Sequence, residues 1–384
     1  MKIKEIFSKM GSHKSDSYKN HLYALVLAGG GGTRLWPRSR QKTPKQFLKL
    51  FDNETLTQVA VNRFASILPM ENIFIVTVSE DYKKEIVKEI PKFIKENIIV
   101  EPARRETGPA HAVGALFIES KDPSAVIMTE SADRLVKPIT RYLETMTGAA
   151  KVAYEKHVLI AMGVEPRYPH TGLGHIKKGG KIKVEGNVDF FKLDSFVEKP
   201  PMELAKKYTQ SGNYLWNAGQ YVWRADDLIA SYKKHKPDIY KNLQEIKPHI
   251  GKSDEAKFLA AEYEKMPSIS VDYAISEKEK NFLVVAGDFF WTDIGDWREV
   301  WANSKKDNKS NVIISGDEPG GEVMTFDTTD SLIHSDGRIV SVVGLDNIVI
   351  VDTPDALLVC SKSHAQEVKK VVEKLKEDKR QDLL

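Results

Sequence analysis

Leu22-Tyr23-Ala24-Leu25-Val26-Leu27-Ala28 runs straight into Gly29-Gly30-Gly31-Gly32-Thr33-Arg34-Leu35-Trp36-Pro37, and Pro44-Lys45-Gln46-Phe47 follows. The apolar run reads as a strand buried on both faces of a parallel sheet. Glycines at the carboxyl end of such a strand let polyphosphate oxygens approach backbone amides. Arg34 and Lys45 place positive charge beside them. The combination points to phosphoryl chemistry on a nucleotide. Two familiar glycine loops do not fit. A Walker loop ends in Gly-Lys-Ser/Thr, and Gly32 is followed by Thr33-Arg34. The dinucleotide fingerprint needs a third glycine where this chain has Arg34 or Leu35.

Composition narrows the partners. Of 384 residues, 57 are Lys or Arg and 54 Asp or Glu, a net charge of +3 that makes no case for nucleic acid. Local basic residues suit a small anionic substrate better. Cys360 is the one cysteine, so an intrachain disulfide and a cysteine metal cluster are excluded. It lies in the apolar run 356–360 and reads as a buried, inert thiol. No apolar stretch approaches the ~18 residues of a membrane span, and 1–20 lacks the apolar middle of a signal peptide. Ile3, Ile6, Phe7 and Met10 fall at helical spacing there, but a flexible tail is the plainer expectation. A reducing cytoplasm is the expected setting.

Strand-like runs at 24–28, 73–78, 98–100, 125–129 and 158–164 alternate with helix-period segments at 55–67, 81–89, 109–119 and 139–154. This alternation predicts an α/β fold with a doubly wound, mostly parallel sheet, whose ligands bind beyond the carboxyl ends of the strands. After Ser304 the texture changes to short strands at 311–314, 322–326, 332–333, 339–343, 347–351 and 356–360. Turn residues at 317–321 and 336–337 separate them. A closing helix over 366–378 carries Val368, Val371, Val372 and Leu375 in one stripe. The expected organisation is an extension over 1–20, a catalytic domain over 21–304 and a small all-β domain with a terminal helix over 305–384.

The motif Gly-Gly-x-Gly-Thr-Arg-Leu-Trp-Pro-x-Ser-Arg at 29–40, followed by Pro-Lys-Gln-Phe-Leu at 44–48, resembles the signature of the sugar-nucleotide pyrophosphorylases. Trp36, Ser39, Arg40 and Gln46 make it similar to the mannose-1-phosphate guanylyltransferases in particular. The resemblance runs from about Leu22 to the carboxyl tail. It implies a nucleotide-diphospho-sugar transferase-like fold and a short β-helix-like carboxyl domain that often mediates association, with a homodimer favoured.

Each motif can be weighed as chemistry. Transfer of a nucleotidyl group to a sugar 1-phosphate brings two polyanions together, so catalysis is mainly positioning and neutralisation. The site needs amide donors, fixed cations and acidic ligands for a divalent metal. Gly29, Gly30, Gly31, Gly32 and Thr33 are the expected nucleotide loop. By resemblance Arg34 contacts the triphosphate and Lys45 the α-phosphate under attack. Asp133, just past the strand ending near Thr129, and Asp293, in Trp291-Thr292-Asp293-Ile294-Gly295, are the expected Mg2+ ligands. Glu130 is an alternative to Asp133, and Asp296 reads as a turn residue. Relatives usually have Asp-His where this chain has Asp133-Arg134.

Glu101-Pro102-Ala103-Arg104-Arg105-Glu106-Thr107-Gly108-Pro109 resembles the base-recognition element, with Glu106 in place of asparagine and Thr107-Gly108 opening a helix. Gly172, in Thr171-Gly172-Leu173-Gly174-His175, together with Glu198-Lys199, Asn217 and Asp272 resembles the sugar-binding set. Leu173 and His175 stand where relatives carry aromatics. Longer relatives append a histidine-rich isomerase domain. The segment after Ser304 holds only His334 and His364, so that half is not expected. The resemblance therefore implies a Mg2+-dependent enzyme that makes GDP-mannose and pyrophosphate from GTP and mannose 1-phosphate. Another nucleotide or hexose, or a catalytically silent sugar-nucleotide sensor, remains the alternative reading.

Overall fold

The computed structural model describes residues 14–51, 53–182, 188–316 and 321–384. The helical spacing of Ile3, Ile6, Phe7 and Met10, and the turn residues at 317–320, lie outside the described residues. Lys14–His21 forms a 3-10 helix with Tyr18 buried, so the end of the expected flexible tail is ordered. Two compact units emerge. One comprises 1–29, 60–131 and 136–291; the other comprises 30–59, 132–135 and 292–384.

The larger unit is built on a nine-stranded sheet. Its strands are β1 (Leu22–Ala28), β2 (Ile73–Thr77), β3 (Ile98–Val100), β4 (Val126–Ser131), β6 (Leu159–Val164), β7 (His175–Ile182), β8 (Phe190–Val197), β9 (Tyr214–Arg224) and β10 (Phe282–Gly287). They lie in the order β3-β2-β1-β4-β9-β6-β10-β8-β7, while β5 (Leu135–Lys137) and β11 (Phe290–Thr292) form a separate pair. β1 to β4, β6, β7 and β10 run one way, and β8 and β9 run against them. The sheet is thus mostly parallel, with β9 inserted antiparallel between β4 and β6.

β1 is central, and Ala24, Leu25 and Val26 are fully buried. Helices α1 (Leu56–Ala65), α2 (Glu80–Glu89), α3 (Thr107–Lys121) and α4 (Ile139–Lys156) fall where the helical periods place them. α3 packs so closely on β1 that a Cβ on Gly114 would lie 2.5 Å from Leu25 Cδ2. Helices α5 (Met202–Ser211), α6 (Ala225–His235), α7 (Pro237–Ile246) and α8 (Glu255–Tyr263) complete the cover.

Polar groups buried at strand ends are satisfied internally. Glu130, near the end of β4, accepts from Arg63, from Tyr142 Oη at 2.7 Å and from Gln220. Glu130 is 1 % exposed, and its carboxylate is spent on these core partners. Glu101 follows β3, is 7 % exposed and accepts from Tyr263 Oη.

The smaller unit contains the β module. Its β module alternates between two sheets. β12 (Val312–Ser315), β14 (Leu332–Ser335) and β16 (Ile348–Thr353) stack in parallel, β13 (Val323–Phe326) and β15 (Val340–Val343) pair in parallel, and β17 (Ala356–Ser361) returns antiparallel on β16. This is the coil of a short β-helix. Val312, Leu332 and Val349 stack through its centre in register. Cys360 on β17 is half-buried rather than buried, and burial pushes its thiol pKa up.

The glycine-loop segment shares this core. Leu35 and Trp36 are buried with Trp297 of α9 (Trp297–Asn303), Val349 and Val372 of α10 (Val368–Glu377). Trp36 Nε1 donates to Leu383 O at 2.9 Å, and Trp297 Nε1 to Trp36 O at 3.0 Å. This compact unit takes in 30–59, 132–135 and 292–384. Removing the chain after Ser304 would take away the part of this core that Val349, Val351, Val368 and Val372 supply.

Glu101 gives a pH test of the larger unit. Burial raises its pKa from 4.5 to about 7, against the opposing Tyr263 hydrogen bond and Arg104 charge. Between those two values the folded chain binds more protons than the unfolded chain, so stability falls as pH rises through the window and levels off above it. The expected fall is about 3 kcal/mol. Urea denaturation of the parent and Glu101→Gln between pH 5 and 8 should show the slope in the parent and its loss in the variant. Parallel curves would refute the assignment.

Candidate active site

The four glycines play three different parts. A Cβ on Gly29 would lie 2.9 Å from Val78 Cγ1, with Glu101 Oε2 beyond it, so its lack of a side chain serves packing. Gly32 adopts φ 61°, and a Cβ there would collide with Lys45 Cβ. Gly30 and Gly31 have open space around them. Within the smaller unit, Ser39 Oγ donates to Gly31 O at 2.9 Å and Leu35 N to Gly32 O at 3.0 Å, which pins the loop. The amides of Gly30, Gly31 and Gly32 have no acceptor among the described residues. Unpaired, solvent-facing amides in succession are what an anion-binding turn offers. Thr33 and Arg34 beside them are exposed, and Arg34 has no ion pair among the described residues.

Lys45 is buried, at 7 % exposure, and is already engaged. Its Nζ lies 2.7 Å from Asp133 Oδ2 and donates to Asp293 O at 2.6 Å and Ile294 O at 3.3 Å. One ammonium thus ties together the segments carrying 45, 133 and 293. Arg134 spans the two acids, with Nε 3.6 Å from Asp133 Oδ1 and Nη1 3.7 Å from Asp293 Oδ2. Burial alone would raise the Asp133 pKa, but Lys45 and Arg134 outweigh it and hold it at about 2. Asp296 caps α9, accepting from Arg298 N at 2.8 Å and Glu299 N at 3.1 Å, more specific than a turn residue.

The expected sugar set converges within the larger unit, with one substitution. A Cβ on Gly174 would lie 2.6 Å from Glu198 Oε2 and 3.3 Å from Asn217 Cβ, so Gly174 makes room for both. Gly172, the glycine favoured from sequence, is exposed and donates its amide to His170 Nδ1 at 3.0 Å. Asn217 Nδ2 donates to Asp272 Oδ1 at 2.8 Å and to Tyr221 Oη at 3.0 Å, while Asn217 Oδ1 accepts from Gly219 N at 3.1 Å. Tyr221 also donates to Asp272. Asn217 therefore holds Asp272 in place more than it offers a free amide. Lys199 Nζ lies 2.8 Å from Glu198 Oε1. Burial first, and then the Glu198 charge, raise the Asp272 pKa.

The base-recognition element does not present the groups expected of it. Thr107 Oγ1 accepts from Val271 N at 3.0 Å, and Gly108 N donates to Ile269 O at 2.9 Å. A Cβ on Gly108 would lie 2.5 Å from Ile269 O, so this glycine admits a neighbouring backbone. Both residues stitch the start of α3 to 269–271. Glu106 holds φ 60° with ψ −167°, a conformation costly for a residue with a side chain.

Sequence reasoning did not single out Gly174 or Tyr221, whereas it noted Arg134 as a departure beside Asp133. Gly174 was legible as the second glycine of Thr171-Gly172-Leu173-Gly174, and Arg134 as a basic residue beside a presumed ligand. Tyr221 carries no local signal. Trp216, with Tyr168 5.0 Å and His170 5.8 Å from it, forms an aromatic cluster beside Asn217 that was also unforeseen.

Comparison with known proteins shows the family. The nucleotidyl transferase family matches residues 23–310, and a mannose-phosphate isomerase/GMP-like β-helix domain matches 321–375. A putative mannose-1-phosphate guanylyltransferase of Vibrio cholerae is 35% identical over 93% of this chain and 75% of its own length. A mannose-1-phosphate guanylyltransferase of Escherichia coli K12 is 33% identical over 95% of this chain and 75% of its own length. The crystal structure of a mannose-1-phosphate geranyltransferase from Thermus thermophilus superposes with a TM-score of 0.80 at 31% identity, covering 93% of this chain and 99% of that one. The chain belongs to the nucleotidyl transferase family, among the mannose-1-phosphate guanylyltransferases.

Proposed function

We propose that this chain transfers the guanylyl group of GTP to α-D-mannose 1-phosphate, releasing pyrophosphate. A phosphate oxygen of the sugar phosphate attacks the α-phosphorus, the bond to the bridging oxygen of the β-phosphate breaks, and that oxygen leaves with pyrophosphate. The observation that carries this reading is the buried Lys45, whose Cβ packs against Gly32 in a loop where the amides of Gly30, Gly31 and Gly32 have no acceptor among the described residues. Charge that develops on phosphate oxygens meets a donor that needs no reorganisation. The amides of Gly30, Gly31 and Gly32, with Arg34, take the β- and γ-phosphates. Glu198 and Asp272 accept sugar hydroxyls, Asn217 and Tyr221 hold Asp272, and Lys199 meets the sugar phosphate. Gly172, Thr107 and Gly108 leave the set of ligand contacts.

Magnesium was the expected cofactor, and the free site does not fit it. Lys45 holds one Asp133 oxygen at 2.7 Å, and Arg134 lies 3.6 Å from the other and 3.7 Å from Asp293 Oδ2. Among the described residues no three or more His, Cys, Asp or Glu side chains are grouped to hold a metal. No step here is routed through the ion. We further propose self-association through the β module, favouring a dimer, on the exposed apolar side chains of Phe326, Val343, Leu357 and Val359. No helix among the described residues is long and apolar enough to cross a membrane, and a cytoplasmic setting is our reading.

The substrate assignment is tested by pyrophosphate release across four nucleoside triphosphates and several hexose 1-phosphates. GTP with mannose 1-phosphate should react fastest. A buried carboxylate left without its hydroxyl partner costs about 1–3 kcal/mol, so glucose 1-phosphate should lose roughly 5–150-fold in kcat/KM. Asn217→Ala, by loosening Asp272, should narrow that gap. Equal rates for the two sugars would remove the mannose assignment, and tight binding without release would favour the silent sensor.

Lys45→Ala should lower turnover by ~10²–10³. The buried pair with Asp133 means stability falls too, so rates should be compared where both proteins are folded. Unchanged turnover would take Lys45 out of the mechanism.

A further inference from the structure

The larger unit holds a cavity that the proposed chemistry does not use. Its volume is about 730 Å³, and its wall includes Val164 and Gly287, the last residues of β6 and β10, with Trp216, Phe289 and Phe290. Glu198, Asn217 and Asp272 are not part of that wall. Trp216 precedes Asn217 on β9, and successive strand residues face opposite sides of a sheet, so the two sites use different faces of β9. The charge of the wall is uneven. Each of its three acids is matched by a base: Glu165 Oε1 lies 4.0 Å from Lys178 Nζ, Asp189 Oδ1 2.7 Å from Lys181 Nζ and Asp288 Oδ2 3.4 Å from Arg141 Nη2. Arg167 is not matched. Its guanidinium carbon lies 4.6 Å from the Phe290 ring centroid, and it has no ion pair or hydrogen bond among the described residues. Trp216 is 4 % exposed, and its Nε1–H has no hydrogen-bond partner among the described residues. A buried indole N–H usually finds one. Pro138, also in the wall, is the N-cap of the 18-residue α4, and the amides of Ile139, Thr140 and Arg141 have no acceptor among the described residues.

We infer that this cavity is a second ligand site, which takes a phosphate ester carried on a ring: a sugar phosphate or a nucleotide. The unsatisfied groups are all donors, and one of them is a cation, so their complement is an anion with several acceptor oxygens. A guanidinium meets phosphate through two parallel N–H···O bonds, and contact with an aromatic ring restricts where it can go. Free amides at the start of a long helix add positive potential. Trp216, Phe289 and Phe290 offer apolar surface to the body that carries the phosphate, which a free inorganic anion would leave bare. The volume lies within the range of small-molecule sites, roughly 300–1,000 Å³. None of these residues has a part in the proposed transfer, so the inference does not rest on the guanylyltransferase reading.

Mannose 6-phosphate and GMP are suitable probes, because one has no phosphate on its anomeric carbon and the other has no pyrophosphate to release. Calorimetric titration of the full chain should show binding of at least one, and the tighter of the two names the source of the phosphate ester. Arg167→Ala, an exposed position whose loss leaves the core intact, should weaken that binding about 10-fold or more. Mannose or guanosine without phosphate should bind the parent more weakly by a similar factor. Asp272→Asn, which alters the other face, should bind the probe as the parent does. The Nε1–H proton resonance of Trp216, identified by its absence from Trp216→Phe, should move downfield as it gains an acceptor. Failure of both probes to bind, equal affinity in the parent and Arg167→Ala, or loss of binding in Asp272→Asn would overturn the inference. An unmoved Trp216 resonance at saturation would overturn the placement in this cavity. No readout requires turnover, so a failure to form GDP-mannose would leave the result interpretable.

Discussion

The Lys45–Asp133 pair is the constraint on which the candidate site depends. Its ammonium also takes the Asp293 and Ile294 carbonyls, so one side chain fixes three segments that are far apart in sequence. Breaking one partner of a buried pair costs about 3–5 kcal/mol, and less where a carboxylate stays partly wet as Asp133 does. The same contact explains Gly32: the close approach of Lys45 Cβ leaves no room for a side chain, and φ 61° suits glycine. A loop whose shape is set from behind by a lysine can leave its amides facing outward.

The β module supports that loop directly. Leu35 and Trp36 are core residues of the unit that contains the coil, and the indole of Trp36 bonds to the backbone of the carboxyl tail. Arg40 makes two hydrogen bonds to Asp355, at 2.7 and 2.9 Å. The tryptophan and arginine of the signature therefore anchor the loop, while Gly30, Gly31 and Arg34 stay exposed. The larger unit keeps its own polar cluster, in which Asp272 is ordered by Asn217 and Tyr221 and charged against Glu198.

Much of this was legible in the chain. Period and β-branching located β1 to β4 and β6, the first four helices and all six strands of the β module to within a few residues. These elements declare themselves locally. The antiparallel insertion of β9 was not legible, because its partners β4, β6 and β7 are remote and strand direction leaves no mark on a short apolar run. Glu130 looked like a ligand because it sits beside Asp133, yet Arg63 and Gln220 bury it from 67 and 90 residues away. Thr107 and Gly108 were read as base contacts because helix starts offer amides; the Gly108 amide donates to Ile269 O, and the Thr107 hydroxyl accepts from Val271 N. The departures from the family pattern were visible as letters. Only geometry showed that Arg134 bridges two acids.

The account stands most directly on whether Lys45 and Asp133 interact in the free protein as drawn. A double-mutant cycle with Lys45→Met and Asp133→Asn, read as stability in urea, isolates that pair. The account predicts a coupling of about 1–3 kcal/mol, with the double variant more stable than the sum of the singles implies. Additivity within about 0.5 kcal/mol would mean the ammonium does not depend on Asp133, and the central claim would be contradicted.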